Sequence, residues 1–249
     1  MWTCLDVIMT CLLLAPSGTV DDVATPPPTS EFVIVPLRVH ILTADGLPEV
    51  DCKLTDDDIR RIIGKVNLVW SAAGVHWGLD SIVHEPAAKQ ERFRTLRDDN
   101  ENKPIPLEAF RLLAPESSRA KDGLNVYYIH NFSVNGVYLG NHTAFVQETA
   151  KLHEVEGGID EPLPRVTAHE LGHSLGLPHR QARTNLLASG TTGTTLNAAE
   201  VEKARGLAKK TPGAMVLTEL KAAIESEKVE SRATMLKTWL EEIEKLPVK

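Results

Sequence analysis

The stretch H-E-L-G-H-S-L-G-L-P-H constrains the fold of this chain more than any other feature of its sequence. His169 and His173 are four residues apart, so on a helix they share a face and can bind one metal ion. Gly176 can enter a left-handed conformation without steric cost, and Pro178 prevents the helix from resuming. The sequence therefore predicts a helix that ends near Gly176 and a chain reversal that brings His179 to the same metal as a third ligand.

Glu170 directly follows the first of these histidines and indicates a catalytic rather than a purely structural metal site. Zinc held by three imidazoles keeps an open position for water, and a neighbouring carboxylate can take a proton from that water. The short pattern H-E-x-x-H arises by chance in about 1 in 100 chains of this length, and the added glycine and histidine reduce that rate by roughly several hundred-fold. The alternative, a core helix with hydrogen-bonded histidines, has to explain three converging histidines and the glycine between them.

The complete pattern resembles that of the metzincins, the zinc endopeptidases that include astacins, matrixins, reprolysins and pappalysins. Their motif H-E-x-x-H-x-x-G-x-x-H is matched by His169, Glu170, His173, Gly176 and His179. The resemblance implies that the three histidines bind Zn²⁺ and that Glu170 is the general base and acid. It implies a zinc-dependent endopeptidase that hydrolyses peptide bonds with a metal-activated water.

Metzincins also carry a tight turn with a methionine beneath the metal, and a comparable segment follows the histidines here. Residues 184–190, T-N-L-L-A-S-G, are similar to that turn, with Leu187 at the methionine position. Leucine and methionine have similar volumes, and exchanges between them in packed sites usually cost less than about 1.5 kcal/mol. The resemblance covers roughly residues 32–207 in element order, and its sequence-specific part is confined to residues 169–190.

The resemblance implies an α+β fold, in which a twisted mixed sheet with one antiparallel edge strand lies over the active-site helix and a helical C-terminal part follows. Runs of β-branched residues predict strands at 32–42, 75–83 and, in the centre of the sheet, 124–129. Pro36 in the first strand indicates an exposed edge or a bulge. The sequence predicts further helices after Thr55, at 106–113, at 197–209, from Thr211 onward and at 229–246, and a surface loop or irregular helix at 89–102. We expect the C-terminal helices to pack on the lower part of the domain, with Trp239 in the core.

Two short strands around tight turns are predicted near residues 134–147. In metzincins the strand before the last one is the antiparallel edge, and it pairs with an extended substrate backbone. The resemblance assigns that edge to Gly136–Leu139 here, while the alternative is an ordinary hairpin. The expected partner is therefore a protein or peptide in extended form, bound through main-chain hydrogen bonds.

Composition agrees with a compact enzyme and excludes several other classes of protein. The chain has 249 residues, 42% of them hydrophobic, which is ample for one catalytic domain with a core. A net charge of −7 without a basic cluster argues against a nucleic-acid partner. The sequence lacks an apolar stretch of about 20 residues, so we expect no membrane span, and we expect a monomer.

The N-terminal region predicts export. Residues 1–18 have the apolar core and small residues of a signal peptide but lack a basic flank, and residues 19–31 form a proline-rich linker. We expect residues 32–210 to be the catalytic domain and residues 211–249 a C-terminal helical extension, in a secreted or extracytoplasmic protein. After cleavage Cys52 would be the one cysteine left, which excludes an intrachain disulfide.

Two other interpretations of the site remain open at the level of sequence. The protein could be a non-catalytic, zinc-stabilised binding module, or the site could hold another divalent ion or hydrolyse something other than peptides. Glu170 argues against a purely structural metal, which needs no base beside its first ligand. The other six histidines fall in no ligand spacing, and we expect them to be surface or core residues: His40, His76, His84, His130, His142 and His153.

Overall fold

A computed structural model of the chain describes residues 23–24, 26–100 and 105–246, and its centre is an open mixed sheet. The strands are β1 (Val33–Thr43), β2 (Val75–Pro86), β3 (Leu124–Ile129), β4 (Gly136–Tyr138), β5 (Thr143–Gln147) and the short β6 (Met215–Val216). Their order is β2-β1-β3-β5-β4, and β6 pairs with the start of β1. The path from β2 to β5 is parallel, whereas β4 is antiparallel to β5 and forms the edge. This confirms the predicted sheet, its central strand at 124–129 and its antiparallel edge.

Six α-helices surround the sheet in the described part of the chain. They are α1 (Asp56–Trp70), α2 (Gln90–Asp98), α3 (Pro162–Ser174), α4 (Ala198–Ala208), α5 (Leu217–Ser226) and α6 (Glu230–Lys245). Shorter 3₁₀ helices span Thr29–Glu31, Ser71–Ala73 and Leu107–Leu113. The predicted capping residues Thr55 and Asn197 are confirmed, because each accepts from the backbone three residues on and forms a capping box, whereas the N-cap of α3, Glu161, makes no such side-chain bond.

The two faces of the sheet bury different helices, because side chains alternate along each strand. Val33, Val35 and Leu37 of β1 belong to the same apolar cluster as the buried residues of α1 and α3. Phe32 and Ile34, which point to the opposite face, pack with the apolar residues of α5 and α6. The helix that carries the first two histidines and the C-terminal helices therefore lie on opposite sides of β1.

Two buried hydrogen bonds fix α3 against the rest of the domain. The indole N–H of Trp70, at the end of α1, donates to the carbonyl of Ala168 at 3.2 Å. On the sheet side, the hydroxyls of Tyr128 and Thr167 lie 2.7 Å apart. A helix held at neighbouring residues from two directions can neither rotate nor slide without leaving buried polar groups unpaired. These bonds therefore also fix the position of His169, the next residue, and of His173, about one turn further along α3.

Several local predictions need refinement or correction. Pro36 lies in a central strand rather than at an edge, and the β1–β2 register shifts beside it, between Leu37 and Arg38, as a bulge would require. Residues 90–98 form a regular helix. The predicted helix start at Thr211 is wrong, since the chain turns there, adds β6 to β1 and enters α5 at Leu217. Pairing with β1 overrides the local helix signal of Thr211-Pro212.

The C-terminal helices also pack elsewhere than the sequence predicts. They cover the face of β1 and β2 opposite α3 instead of the lower part of the domain. Trp239 is buried as expected, and its indole N–H donates to the Leu79 carbonyl at 3.1 Å. Gly78 makes this packing possible, because a Cβ there would lie 2.6 Å from the Trp239 ring. The sequence of β2 does not indicate which helix packs against Gly78.

The predicted signal peptide, residues 1–18, lies outside the described residues, as does the start of the linker. From the described linker residues, Ala24 donates its backbone N–H to Leu196 at 3.0 Å. Within the described ranges, none of the helices combines the length and the apolar character that crossing a bilayer requires.

Replacing Trp239 by alanine should lower the free energy of unfolding by about 3–5 kcal/mol, because it removes a large buried side chain and leaves a cavity. Chemical denaturation followed by circular dichroism measures the change. Lys237→Ala on the exposed side of α6 is the matched control and should change stability little. Equal losses in the two variants would contradict this role for Trp239.

Candidate metal centre

Helix α3 ends in a Schellman motif, which explains how His179 returns to the other two histidines. Gly176 has a φ of 72° and donates its N–H to the carbonyl of His173 at 3.0 Å. Leu177 donates to the carbonyl of Gly172 at 3.1 Å, which completes the motif. A Cβ at Gly176 would also lie 2.6 Å from the side chain of Leu207. The backbone conformation thus favours glycine at this position, and a larger residue would also displace the Leu207 side chain.

The structure brings the three predicted histidines together, so that one nitrogen atom of each ring faces a common point. The Nε2 atom of His173 lies 3.0 Å from that of His169 and 3.1 Å from that of His179. Zinc–nitrogen bonds of about 2.0–2.1 Å at tetrahedral angles would separate such atoms by about 3.3 Å. Within the described ranges this is the one group of at least three His, Cys, Asp or Glu side chains that could hold a metal ion. The residues present therefore fit a zinc ion.

Main-chain carbonyls orient two of the three rings. The Nδ1 of His169 lies 2.8 Å from the carbonyl of Leu186, and the Nδ1 of His173 lies 2.8 Å from that of Leu177. A ring whose Nδ1–H donates to a carbonyl presents an unprotonated Nε2, which is the form that binds a metal. Burial, followed by the charge of Arg165, lowers the pKa of His169 to about 3, and burial lowers the pKa of His173. Both rings are therefore neutral at neutral pH.

The segment 184–190 lies against α3, where the resemblance places the turn beneath the metal. Leu187 is fully buried, and its side chain lies 3.2 Å from the position that a Cβ on Gly172 would occupy. Its backbone N–H donates to the side chain of Asn185, and its carbonyl accepts from the N–H of Arg180. The branched side chain of Leu187 thus fills the space beside Gly172 of α3.

Glu170 is buried beside the histidines, under the edge strand. It is 4% exposed, and burial raises its pKa to about 8, although the backbone of Tyr138 and the charge of Arg165 act in the opposite direction. A Cβ on Gly136 would lie 2.7 Å from its Oε1, so the absence of a side chain there gives the carboxyl group its space. A carboxyl group with a pKa near neutrality can both accept and release a proton.

An open cleft of about 670 Å³ runs between β4 and the metal centre. All three histidines, Glu170 and the whole of β4 line it. Leu139 and Asn135 exchange hydrogen bonds with β5, so by strand alternation the main-chain groups of Gly136 and Tyr138 point away from β5, toward the open edge. The outward main-chain groups of β4 and the metal centre therefore face the same space, and the backbone of Tyr138 binds the Glu170 carboxyl group there.

Sequence reasoning did not identify Arg165, which also contacts the centre. It is 1% exposed and precedes His169 by one helical turn, with its Nη1 3.0 Å from the Nδ1 of that ring. Burial lowers its pKa to about 10. A basic residue four positions before the first histidine of the motif, and so one helical turn away on the same face, is the sequence signal that could have found it.

The other histidines do not join the centre. Exposed His153 is tied through its backbone to Thr192, and neither it nor His142 lines the cleft. His40 is a buried core residue that bonds to Glu85 and Asn125.

Comparison with known proteins adds little to this geometry. Protein-family models and curated proteins both give no match to the sequence. Among solved structures, a chain from a chaperone–substrate complex is similar over 72% of this chain and 34% of its own length, with a TM-score of 0.40 and 14% identity. An archaemetzincin from Methanopyrus kandleri is similar over 86% of this chain and 98% of its own, with a TM-score of 0.37 and 14% identity. Metalloproteinase II from Bacteroides fragilis is similar over 78% of this chain and 58% of its own length, with a TM-score of 0.39 and 12% identity. Similarities this distant assign no function.

Replacing His179 by alanine should weaken zinc binding by more than the roughly 10- to 100-fold that loss of an outer-shell partner costs, because it removes a direct ligand. Titration of the metal-free protein with zinc against a competing chelator measures the affinity. His153→Ala, which removes an exposed imidazole near the cleft, is the matched control and should leave the affinity unchanged. Similar affinities for both variants would show that His179 is not a ligand.

Proposed function

We propose that this protein is a zinc-dependent endopeptidase in which His169, His173 and His179 hold the metal ion. The convergence of their Nε2 atoms at the wall of an open cleft carries the proposal. A closed structural site would need a fourth protein ligand, whereas here a buried carboxyl group stands beside three. The donor set and the adjoining carboxyl group are those of metal-assisted hydrolysis.

Glu170 is the proposed general base. His169, His173 and His179 would hold a zinc ion, which would supply Lewis-acid chemistry toward water and the scissile carbonyl. Glu170 takes the proton of the attacking water and later passes it to the leaving amine. Its position supports this role, because the carboxyl group lines the same cleft as the three histidines. Leu186 and Leu177 keep two of the rings in the metal-binding tautomer throughout.

The substrate is proposed to be a polypeptide in extended form, added to the sheet along β4. The outward main-chain groups of Gly136 and Tyr138 support this arrangement, since a strand paired there would pass in front of Glu170 and the histidines. Binding through main-chain groups fixes the direction and register of a peptide without reading its side chains.

Side-chain preference would come from the walls of the cleft, which are largely apolar. Val134, Val137, Leu152 and Leu177 line it. Burial of an apolar substrate side chain there contributes about 25 cal/mol for each Å² removed from water. We therefore propose that the endopeptidase favours substrates with an apolar residue close to the scissile bond. We propose further that the enzyme acts as a monomer outside the cytoplasm, with residues 32–210 as its catalytic domain and 211–249 as an extension.

Replacing Glu170 by glutamine should lower hydrolysis of denatured casein by about 10²–10⁴-fold, because glutamine keeps the size of the side chain but cannot accept the proton. Zinc content should stay at the wild-type level, since Glu170 is not among the ligand atoms. Both quantities are measured on the same preparation, by release of peptides and by elemental analysis.

Glu154→Gln, an exposed carboxylate on the segment beside the cleft, is the matched control and should cleave casein normally. Removal of the metal with a chelator should abolish hydrolysis by the wild type, and added zinc should restore it. Wild-type protein that retains zinc but cleaves no polypeptide would instead identify a binding module.

A further inference from the structure

The guanidinium of Arg165 joins α3 to the segment that follows the three histidines, residues 185–193. Its Nε donates to the carbonyl of Gly193 at 3.0 Å, and its Nη2 donates to Ala188 and, at 3.3 Å, to Asn185. These three carbonyls belong to the segment 185–193, which includes Leu186. One side chain thus binds this segment at both of its ends and in its middle.

Leu186 links that segment to the metal centre. Its carbonyl accepts from the Nδ1–H of His169, and it lies directly after Asn185, whose carbonyl binds Arg165. The Nη1 of Arg165 lies 3.0 Å from the same Nδ1. In the tautomer that donates to Leu186 both nitrogen atoms carry hydrogen, so this is a close contact and not a hydrogen bond. A shift of the segment would move the Leu186 carbonyl and turn the imidazole that it orients.

We propose that Arg165 is a positioning residue, which holds the segment 185–193 so that the Leu186 carbonyl fixes the first metal ligand. This inference depends on the metal centre of the proposed function and adds to it the group that keeps its geometry. The partner of a ligating imidazole is commonly a carboxylate or a carbonyl. Here the segment that carries the carbonyl is held in turn by a buried cation, which has to be accommodated close to a doubly charged ion.

The chemistry of arginine is needed for this role. A planar guanidinium donates in several fixed directions at once, whereas the ammonium of lysine is a compact charge on a flexible stem. Arg165→Lys therefore keeps the positive charge but loses the simultaneous bonds to Gly193, Ala188 and Asn185. If charge alone mattered, the lysine variant would behave as the wild type, and a neutral variant would bind zinc more tightly.

The test compares zinc affinity and the visible absorption spectrum of the cobalt-substituted protein in Arg165→Lys and wild type. We expect zinc affinity to fall by about 10- to 100-fold and the cobalt spectrum to change, because the first ligand is no longer held in one orientation. Arg205→Lys is the matched control, since Arg205 also donates to a main-chain carbonyl, that of Ala73, away from the metal centre. It should leave both quantities unchanged. An Arg165→Lys variant with wild-type affinity and spectrum would overturn the proposal.

Neither readout requires hydrolysis, so the two proposals can fail separately. A wild type that binds zinc without cleaving casein, together with a weakened lysine variant, rejects the peptidase and supports the positioning role. A wild type that cleaves casein, together with unchanged zinc affinity in the lysine variant, supports the peptidase and rejects the positioning role.

A wild-type measurement decides the question if Arg165→Lys does not fold. Because coupling between two sites is reciprocal, bound zinc should slow exchange of the Arg165 Nε proton with solvent. Nuclear magnetic resonance of the zinc-loaded and metal-free protein measures that exchange. Equal rates in the two forms would overturn the proposal.

Discussion

The three imidazoles can meet only because α3 stops at Gly176 and the chain turns back within a few residues. The Nε2 atoms of His169 and His173 lie 3.0 Å apart, and neither carries a proton when both neutral rings donate through Nδ1 to a carbonyl. Converging lone pairs repel one another, and a cation at their common point removes that repulsion. The left-handed residue at the end of the helix is therefore the constraint that creates the site.

The two turns that follow α3 also orient the ligands that α3 carries. The first turn supplies the carbonyl of Leu177 to His173, and the second supplies the carbonyl of Leu186 to His169. The helix itself is held by Trp70 and Tyr128 from the side of the core. The centre thus depends on backbone atoms whose positions are set by packing, which is why residues far from the metal control its geometry.

Much of this arrangement could be predicted from the sequence, and the limits have physical causes. The helix, its end at Gly176 and the meeting of three histidines follow from local rules of spacing and backbone conformation. Strand limits at 124–129 and capping boxes at Thr55 and Asn197 are local signals too. Contacts between distant segments carry no such signal. The carbonyls bound by Arg165, the space that Gly136 leaves for Glu170 and the face chosen by α6 emerge only from the folded chain.

X-ray absorption at the zinc edge of the purified, zinc-loaded protein tests the central claim most directly. The account predicts one zinc ion per chain, with three imidazole nitrogen atoms and one further light atom at about 2.0–2.1 Å. A spectrum that requires fewer than three imidazoles, or a shell completed by a fourth protein side chain, would contradict it.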